Sequence, residues 1–332
     1  MPDPNFVQTV WRLGTAWART NLLGGRIPLL VSWNLTFRCN LRCHYCAAPT
    51  LRVPQMDTEE VLRTADDFYG LGMRWVTFSG GEPLLRKDIG TIVNHCKDKG
   101  VVVFISTNGT LVPKRIDDIQ RVDRITLSLD GAGEVHDRIR GEGAWEKTVA
   151  AAETAREHGI PVAFTCVLSE HNLECVDDVL EVARQQDAHV MFQPATKWLD
   201  SSTKPNPIAP DTAPYRAAID RLMQRKREGA PITNSMTGLR YLRNWPDPTS
   251  VRSTAGRVTC TIEPDGKVLA SHLTMTGCLE DEADDGLTPA ERFKKMALPK
   301  SVDQPWCGPI LELDLIFGLN PGAILNAMRV QE

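Results

Sequence analysis

The amino-acid sequence predicts an α/β fold: an open or partial barrel of six βα units, with a smaller α+β extension at its C-terminal end. Three observations carry this. Strand-like and helix-like runs alternate six times between residues 28 and 196 with short connections, and such alternation implies a parallel sheet with helical crossovers. Six units are too few to close an eight-stranded barrel. A cluster of residues suited to chemistry follows each strand-like run at its carboxyl end, the rim where parallel α/β sheets bind ligands.

The first strand is "LLVSWNL" (29–35), apolar and β-prone. "TEEVLRTADDFYGLG" (58–72) has helical spacing and ends at glycines. "RWVTF" (74–78) is the second strand and "KDIGTIVNHCKDKG" (87–100) its helix. "VVVFIS" (101–106) is the third strand, with a short helix at 113–122. "RITLSL" (124–129) is the fourth, followed by a helix at 144–159. "IPVAFTCVL" (160–168) is the fifth, followed by a helix at 173–186, and "HVMFQP" (189–194) is the sixth. The composition then shifts. "KWLDSSTKPNPIAPDTAP" (197–214) reads as a linker or lid. A helix is expected at about 215–228, a β-hairpin around "PDG" in 256–271, and a helical apolar segment at 308–328. The expected division is an N-terminal helical extension (1–27), a core barrel (28–196), a linker with helices (197–250) and a C-terminal unit (251–332). The first helix, with Trp11, Trp17, Val7, Leu13 and Leu22, is expected to dock on the barrel bottom.

The chain has 332 residues, 42% hydrophobic and 24% charged, the balance of a soluble globular protein. A net charge of −4 without a basic run excludes a nucleic-acid footprint. No apolar run approaches 18 residues, so no integral membrane association is expected. Arg12, Arg19 and Asn21 interrupt the first apolar stretch, which therefore lacks a signal-peptide pattern, and a cytoplasmic location is expected. Nine cysteines at that location do not suggest a disulfide framework. Cys96, Cys166 and Cys175 fall in helix or strand patterns and read as buried small hydrophobes.

Cys39, Cys43 and Cys46 are different, because they crowd into "TFRCNLRCHYC" directly after the first strand. Thiolates suit zinc or iron–sulfur clusters, and both normally take four protein ligands. Three cysteines on one loop would leave one iron of a cubane cluster free to bind a small molecule offering an amine and a carboxylate. The other rim clusters could hold such a molecule. Gly80 and Gly81 allow close backbone approach, and Glu82 can accept from an ammonium group. Ser106, Thr107, Asn108, Ser128 and Asp130 suit a ribose and an amino-acid tail. Arg140 can clamp a carboxylate, and Tyr45 can lie against a purine. A structural zinc site remains the alternative for the cysteine loop alone.

The set "CNLRCHYC", "GGEP" (80–83), "STNG", "SLDG" and "HDRIRG" resembles the radical S-adenosylmethionine (SAM) enzymes over about residues 28–195. The resemblance implies a partial (β/α)6 barrel and a [4Fe–4S] cluster on Cys39, Cys43 and Cys46, with SAM at the fourth iron. It also implies reductive cleavage of SAM to a radical that abstracts hydrogen from substrate. By the same resemblance Gly80, Gly81, Glu82 and Pro83 would hold the methionine amine. Ser128 and Arg140 would meet the SAM carboxylate or ribose, Ser106 and Asn108 would line the pocket, and Leu168 and Asn172 would flank the adenine. A low-potential donor such as flavodoxin or ferredoxin is implied as electron source.

The C-terminal part resembles the SPASM or shortened twitch extension of many such enzymes, with serines, Ser253 and Ser271, where two cluster cysteines are expected. Cys260, Cys278 and Cys307 remain for an auxiliary cluster, with His272 a further donor; unligated thiols are the favoured reading. The favoured substrate is a small molecule, with peptide or protein modification as the alternative. A zinc or iron–sulfur binding protein without radical chemistry is the rival from another class.

Overall fold

All six expected strands form: β1 Leu30–Thr36, β2 Trp75–Gly80, β3 Val102–Thr107, β4 Arg124–Ser128, β5 Val162–Leu168 and β6 His189–Pro194. They lie side by side in chain order, and every neighbouring pair is parallel. This computed structural model describes residues 4–197, 205–247, 251–270, 286–298 and 306–329. The expected hairpin also forms, as β7 Thr259–Ile262 and β8 Val268–Leu269, antiparallel to each other. It does not stand apart from the barrel sheet. β7 pairs in parallel with β1, with Leu30 opposite Thr259 and Trp33 opposite Ile262, so the sheet order is β6-β5-β4-β3-β2-β1-β7-β8. A long-range pairing of this kind leaves no local trace in sequence.

The helices are α1 Pro4–Asn21, α2 Thr58–Leu71, α3 Ile89–Asp98, α4 Val112–Arg115, α5 Glu134–Arg140, α6 Ala144–Glu157, α7 Val176–Gln185, α8 Thr212–Arg227 and α9 Met236–Leu242. Three more follow at Pro289–Lys295, Gly308–Phe317 and Pro321–Arg329. α2 starts where its sequence says it should. Asp57 accepts from the Glu60 amide and the Glu60 side chain accepts from the Asp57 amide, a closed capping box. The stretch 113–122 is shorter in helix than expected, with α4 giving way to a 3-10 turn over Ile116–Ile119. The segment 308–328 is two helices bent by 119°, because Leu319 turns left-handed (φ 58°) just before Pro321 starts the second. Among the described residues no single helix is long and apolar enough to cross a membrane.

Alternation along each strand sorts the two faces of the sheet. Val31, Trp33, Leu35, Val76, Phe78, Val103, Ile105, Ile125, Leu127, Phe164, Cys166 and Leu168 are buried in one continuous core with the inner faces of α2, α3, α6 and α7. The opposite face carries Ser32, Thr77, Ser79, Ser106, Thr126, Ser128 and Thr165, all partly exposed. A parallel sheet covered by helices on both sides is apolar on both. Here the second face is hydroxyl-rich, as the open inner wall of a partial barrel should be. α1 docks as expected: Ala16, Leu13 and Trp17 pack with Leu29 and Val258, which precede β1 and β7. Trp17 donates its indole N–H to the Phe317 carbonyl at 3.0 Å.

Two of the candidate auxiliary-cluster thiols differ in setting. Cys260 lies on β7, 2% exposed in the main core, where burial drives its thiol far above the usual range. Cys307 precedes the helix Gly308–Phe317, and burial pushes it up to about 11. The loop after Ser253 is held by a buried carboxylate. Asp314 accepts from the Thr254 amide at 2.7 Å and from its hydroxyl at 2.6 Å. Ser271, His272, Cys278 and the lid positions 198–204 lie outside the described residues.

Candidate metal centre

The cysteine loop leaves β1 at Thr36, whose hydroxyl accepts from the Arg38 amide at 3.0 Å. Within it the Cys46 amide donates to the Cys43 carbonyl at 3.1 Å. Its middle rests on α5, where the His44 amide donates to the Ile139 carbonyl at 3.1 Å. All three thiols are partly exposed. Burial pushes each above the usual thiol range, Cys43 to about 11. N–H groups nevertheless face two of the sulfurs. The Leu41 amide lies 3.4 Å and the Asn108 side-chain nitrogen 3.8 Å from Cys39 Sγ, and an Arg140 nitrogen lies 3.9 Å from Cys43 Sγ. Donors of this kind stabilise thiolates, so the loop fits a soft, thiolate-bound group. Among the described residues no three His, Cys, Asp or Glu side chains are gathered as a single metal ion would need.

The two glycines pack tightly against the chain itself. A Cβ on Gly80 would lie 2.2 Å from the Thr36 carbonyl oxygen, and one on Gly81 would lie 2.3 Å from the Arg38 and 2.6 Å from the Phe37 carbonyl oxygens. The Gly81 amide donates to Thr36 O at 2.7 Å and the Glu82 amide to Arg38 O at 2.9 Å. The close approach is therefore to the stem of the chain's own cysteine loop. Glu82 is fully buried and its carboxylate is engaged within the protein. It accepts from the Leu84 amide (3.0 Å), the Asn108 amide (2.9 Å) and the Thr107 hydroxyl (2.8 and 2.9 Å). In this structure these bonds tie the end of β2 to the end of β3. Pro83 is buried at the start of a 3-10 turn.

The remaining expected residues divide. Ser106 and Ser128 sit on the hydroxyl-rich face and stay partly exposed. Asn108 is 7% exposed and donates to Asn40 Oδ1 at 2.9 Å, beside Cys39. Leu168 is fully buried on the helix side of β5, in the main core. Asn172 is 2% exposed with its amide spent on the Asp130 and Val167 carbonyls (2.8 and 2.9 Å) and the Ser169 amide (2.7 Å). It too is a strut. Tyr45, Asp130 and Arg140 come together, but bonded to one another beneath the loop. Tyr45 donates to Asp130 Oδ2 at 2.9 Å and Arg140 Nε donates to the same oxygen at 2.6 Å. Both Tyr45 and Arg140 are engaged here with Asp130. A cleft of about 430 Å³ beside the loop stem is lined by Thr36, Arg38, Arg86 and Asp88. Arg86 is spent there on the Leu35 and Met56 carbonyls and on Asp88.

A further rim group was not singled out in the sequence. Asn34 of β1 donates to Glu263 Oε1 at 3.0 Å and accepts from Ser79 of β2 at 2.9 Å. Glu263 is 4% exposed, and its other oxygen has no partner. Polar residues inside the apolar run "LLVSWNL" were the available signal; the pairing of β7 with β1 was not. Burial, opposed by the Asn34 bond, raises the Glu263 carboxyl from 4.5 to about 7, with Asp265 pushing the same way and Lys267 against it. An acid held up on folding binds its proton more tightly in the folded state. Its contribution to stability is therefore full below about pH 4.5 and is lost as pH rises through about 7. Glu263→Gln is expected to flatten that slope and to gain on the order of 3 kcal/mol above it. Urea unfolding from pH 4.5 to pH 8 checks this; an unchanged slope rules it out.

Comparison with known proteins matches residues 33–183 to the Radical SAM superfamily. Among curated proteins, the chain is 37% identical over 191 residues to the AdoMet-dependent heme synthase of Methanosarcina barkeri, covering 54% of this chain and 55% of that one. It is 27% identical over 259 residues to the PqqA peptide cyclase of Ruegeria pomeroyi, covering 75% and 69%. The chain spans about half the length of the first curated relatives it matches. Among solved structures, Streptococcus suis SuiB shares the fold with a TM-score of 0.64 at 15% identity, over 90% of this chain and 73% of that one. The matched residues run from within β1 through the cysteine loop and β5 into α7, and over them the chain is similar to the radical SAM superfamily.

Proposed function

We propose that this chain is a radical SAM enzyme that modifies a small-molecule substrate. The observation that carries the reading is the cysteine loop itself. Three thiols sit at the carboxyl end of β1 with N–H groups from the loop, from the β3 end and from α5 turned to two of their sulfurs. Cys39, Cys43 and Cys46 would hold a [4Fe–4S] cluster, leaving SAM to complete it. When bound, this pair supplies an electron and a radical able to abstract hydrogen from substrate. The chain's own residues do the rest. Asn108 and Leu41 donate to Cys39, Gly80 and Gly81 seat the loop, and the hydroxyl face around Ser106 and Ser128 is the wall available to SAM and substrate. A low-potential donor such as flavodoxin or ferredoxin would deliver the electron. The small-molecule reading is supported by three relatives named as heme or coproporphyrin enzymes. Peptide modification is the second reading, favoured by the longer alignment to the peptide cyclase.

Anaerobic reconstitution with iron and sulfide tests this. About four irons per chain are expected for one cubane cluster, with 5′-deoxyadenosine released from SAM after dithionite reduction. Cys39→Ala, Cys43→Ala and Cys46→Ala are each expected to abolish release. Stoichiometric zinc without SAM turnover overturns the proposal. Iron-coproporphyrin III is expected to accelerate SAM consumption; acceleration by peptides instead would decide for the second reading.

A further inference from the structure

Arg140 reaches three groups at once. Its Nε donates to Asp130, one terminal nitrogen donates to the Tyr45 hydroxyl, and the other lies 3.9 Å from Cys43 Sγ. The guanidinium carbon also stands 5.6 Å from the Tyr45 ring centroid. Asp130 is fully buried, and its second oxygen accepts from the Val167 amide at 2.8 Å. Arg140 is 6% exposed. The His136 imidazole beside Asp130 adds no charge at neutral pH. Burial and the Arg140 cation hold His136 down to about 4, and its Nδ1 accepts from the Asp130 amide.

The arrangement is a buried ion pair whose positive end is turned to a cysteine sulfur. Burying two charges costs several kcal/mol per ion before their attraction is counted, so a pair of this kind is weak evidence for a purely stabilising role. Its orientation has a consequence for any redox centre on that sulfur. Reduction adds negative charge to the cluster and its thiolates. A cation and an N–H donor beside the sulfur favour the reduced state and raise the potential, whereas a carboxylate lowers it. The cation here lies between the sulfur and the carboxylate, so its effect dominates.

We propose that the Arg140–Asp130 pair sets the reduction potential of the cluster on Cys39, Cys43 and Cys46. This rests on the cluster reading of the cysteine loop. Arg140 and Asp130 are then positioning residues that act through Cys43.

The test is a potentiometric titration followed by electron paramagnetic resonance, without SAM, on reconstituted full-length protein of known iron and sulfide content. Arg140→Gln is expected to lower the midpoint potential and Asp130→Asn to raise it. Arg140→Lys keeps the charge but loses the fork, and a smaller downward shift is expected. Tyr45→Phe keeps both charges and is expected to stay near the wild type. A structural role would move Arg140→Gln and Asp130→Asn the same way or not at all, and either result overturns the proposal. So does a Tyr45→Phe shift as large as that of Arg140→Gln. Should Arg140→Gln or Asp130→Asn fail to hold iron, an unchanged potential in Arg140→Lys overturns it as well. Wild-type protein that takes up no iron and sulfide removes the cluster reading itself, a failure visible before any titration.

Discussion

Gly81→Ala is expected to destabilise the protein by about 4 kcal/mol or more, a loss of the size reserved for strain that has no outlet, and to empty the cysteine loop of iron. The added Cβ would meet the carbonyl oxygens of Arg38 and Phe37 at 2.3 and 2.6 Å. Both are backbone atoms, so no side-chain rotation relieves the clash. Two hydrogen bonds, Gly81 N to Thr36 O and Glu82 N to Arg38 O, pin the same strand of chain. Relief must come from moving the 36–38 stem, which carries Cys39. Gly80→Ala adds a second penalty, because Gly80 has φ 122° and its Cβ would lie 2.2 Å from Thr36 O. Gly159→Ala is the matched control. It also has positive φ (70°), but nothing lies within 4 Å of its added Cβ, so about 1–2 kcal/mol and full iron uptake are expected. Denaturant unfolding and iron analysis read both quantities. Gly81→Ala protein with wild-type stability and iron would show that the contact is not rigid.

The strands were legible because each is short, β-prone and bounded by turn residues, and the rim was legible because every chemical cluster follows a strand. Legibility stopped at the direction each polar side chain faces. Glu82, Asp130 and Asn172 are polar residues just past strand ends, the same description that fits a ligand contact. Only the folded chain shows that the Thr107 hydroxyl, the Tyr45 hydroxyl and the Ser169 amide already occupy them. Leu168 shares the period of Phe164 and Cys166, both core residues. α5 escaped notice because seven residues, "EVHDRIR", are too few to show helical periodicity. Yet α5 carries Ile139 and Arg140, which support the cysteine loop from below. Glu263 escaped because its partner Asn34 lies 229 residues away in sequence.

Glu82→Ala carries the second large effect, expected at about 3–5 kcal/mol of lost stability, because each buried donor left without an acceptor costs about 1–3 kcal/mol. The carboxylate is the shared acceptor of two backbone amides, Leu84 and Asn108, and of the Thr107 hydroxyl. All of these lie in buried residues. Removing it frees the β2 and β3 ends from one another at the point where Asn108 faces Cys39. Iron retention should therefore fall with stability, although Glu82 is not one of the three cysteine ligands proposed for the cluster. Glu82→Gln separates the two explanations for such a loss. The amide keeps one acceptor oxygen and the shape, but turns an NH2 donor toward the Asn108 or Leu84 amide. If Glu82 is a staple, Glu82→Gln should lose part of the stability, and iron retention should track stability across both variants. If instead the carboxylate serves SAM through its charge, Glu82→Gln should keep stability and iron while weakening SAM binding, measured by equilibrium dialysis against the reconstituted protein. The bonds in place favour the first outcome: neither oxygen of Glu82 is without a donor from the chain itself.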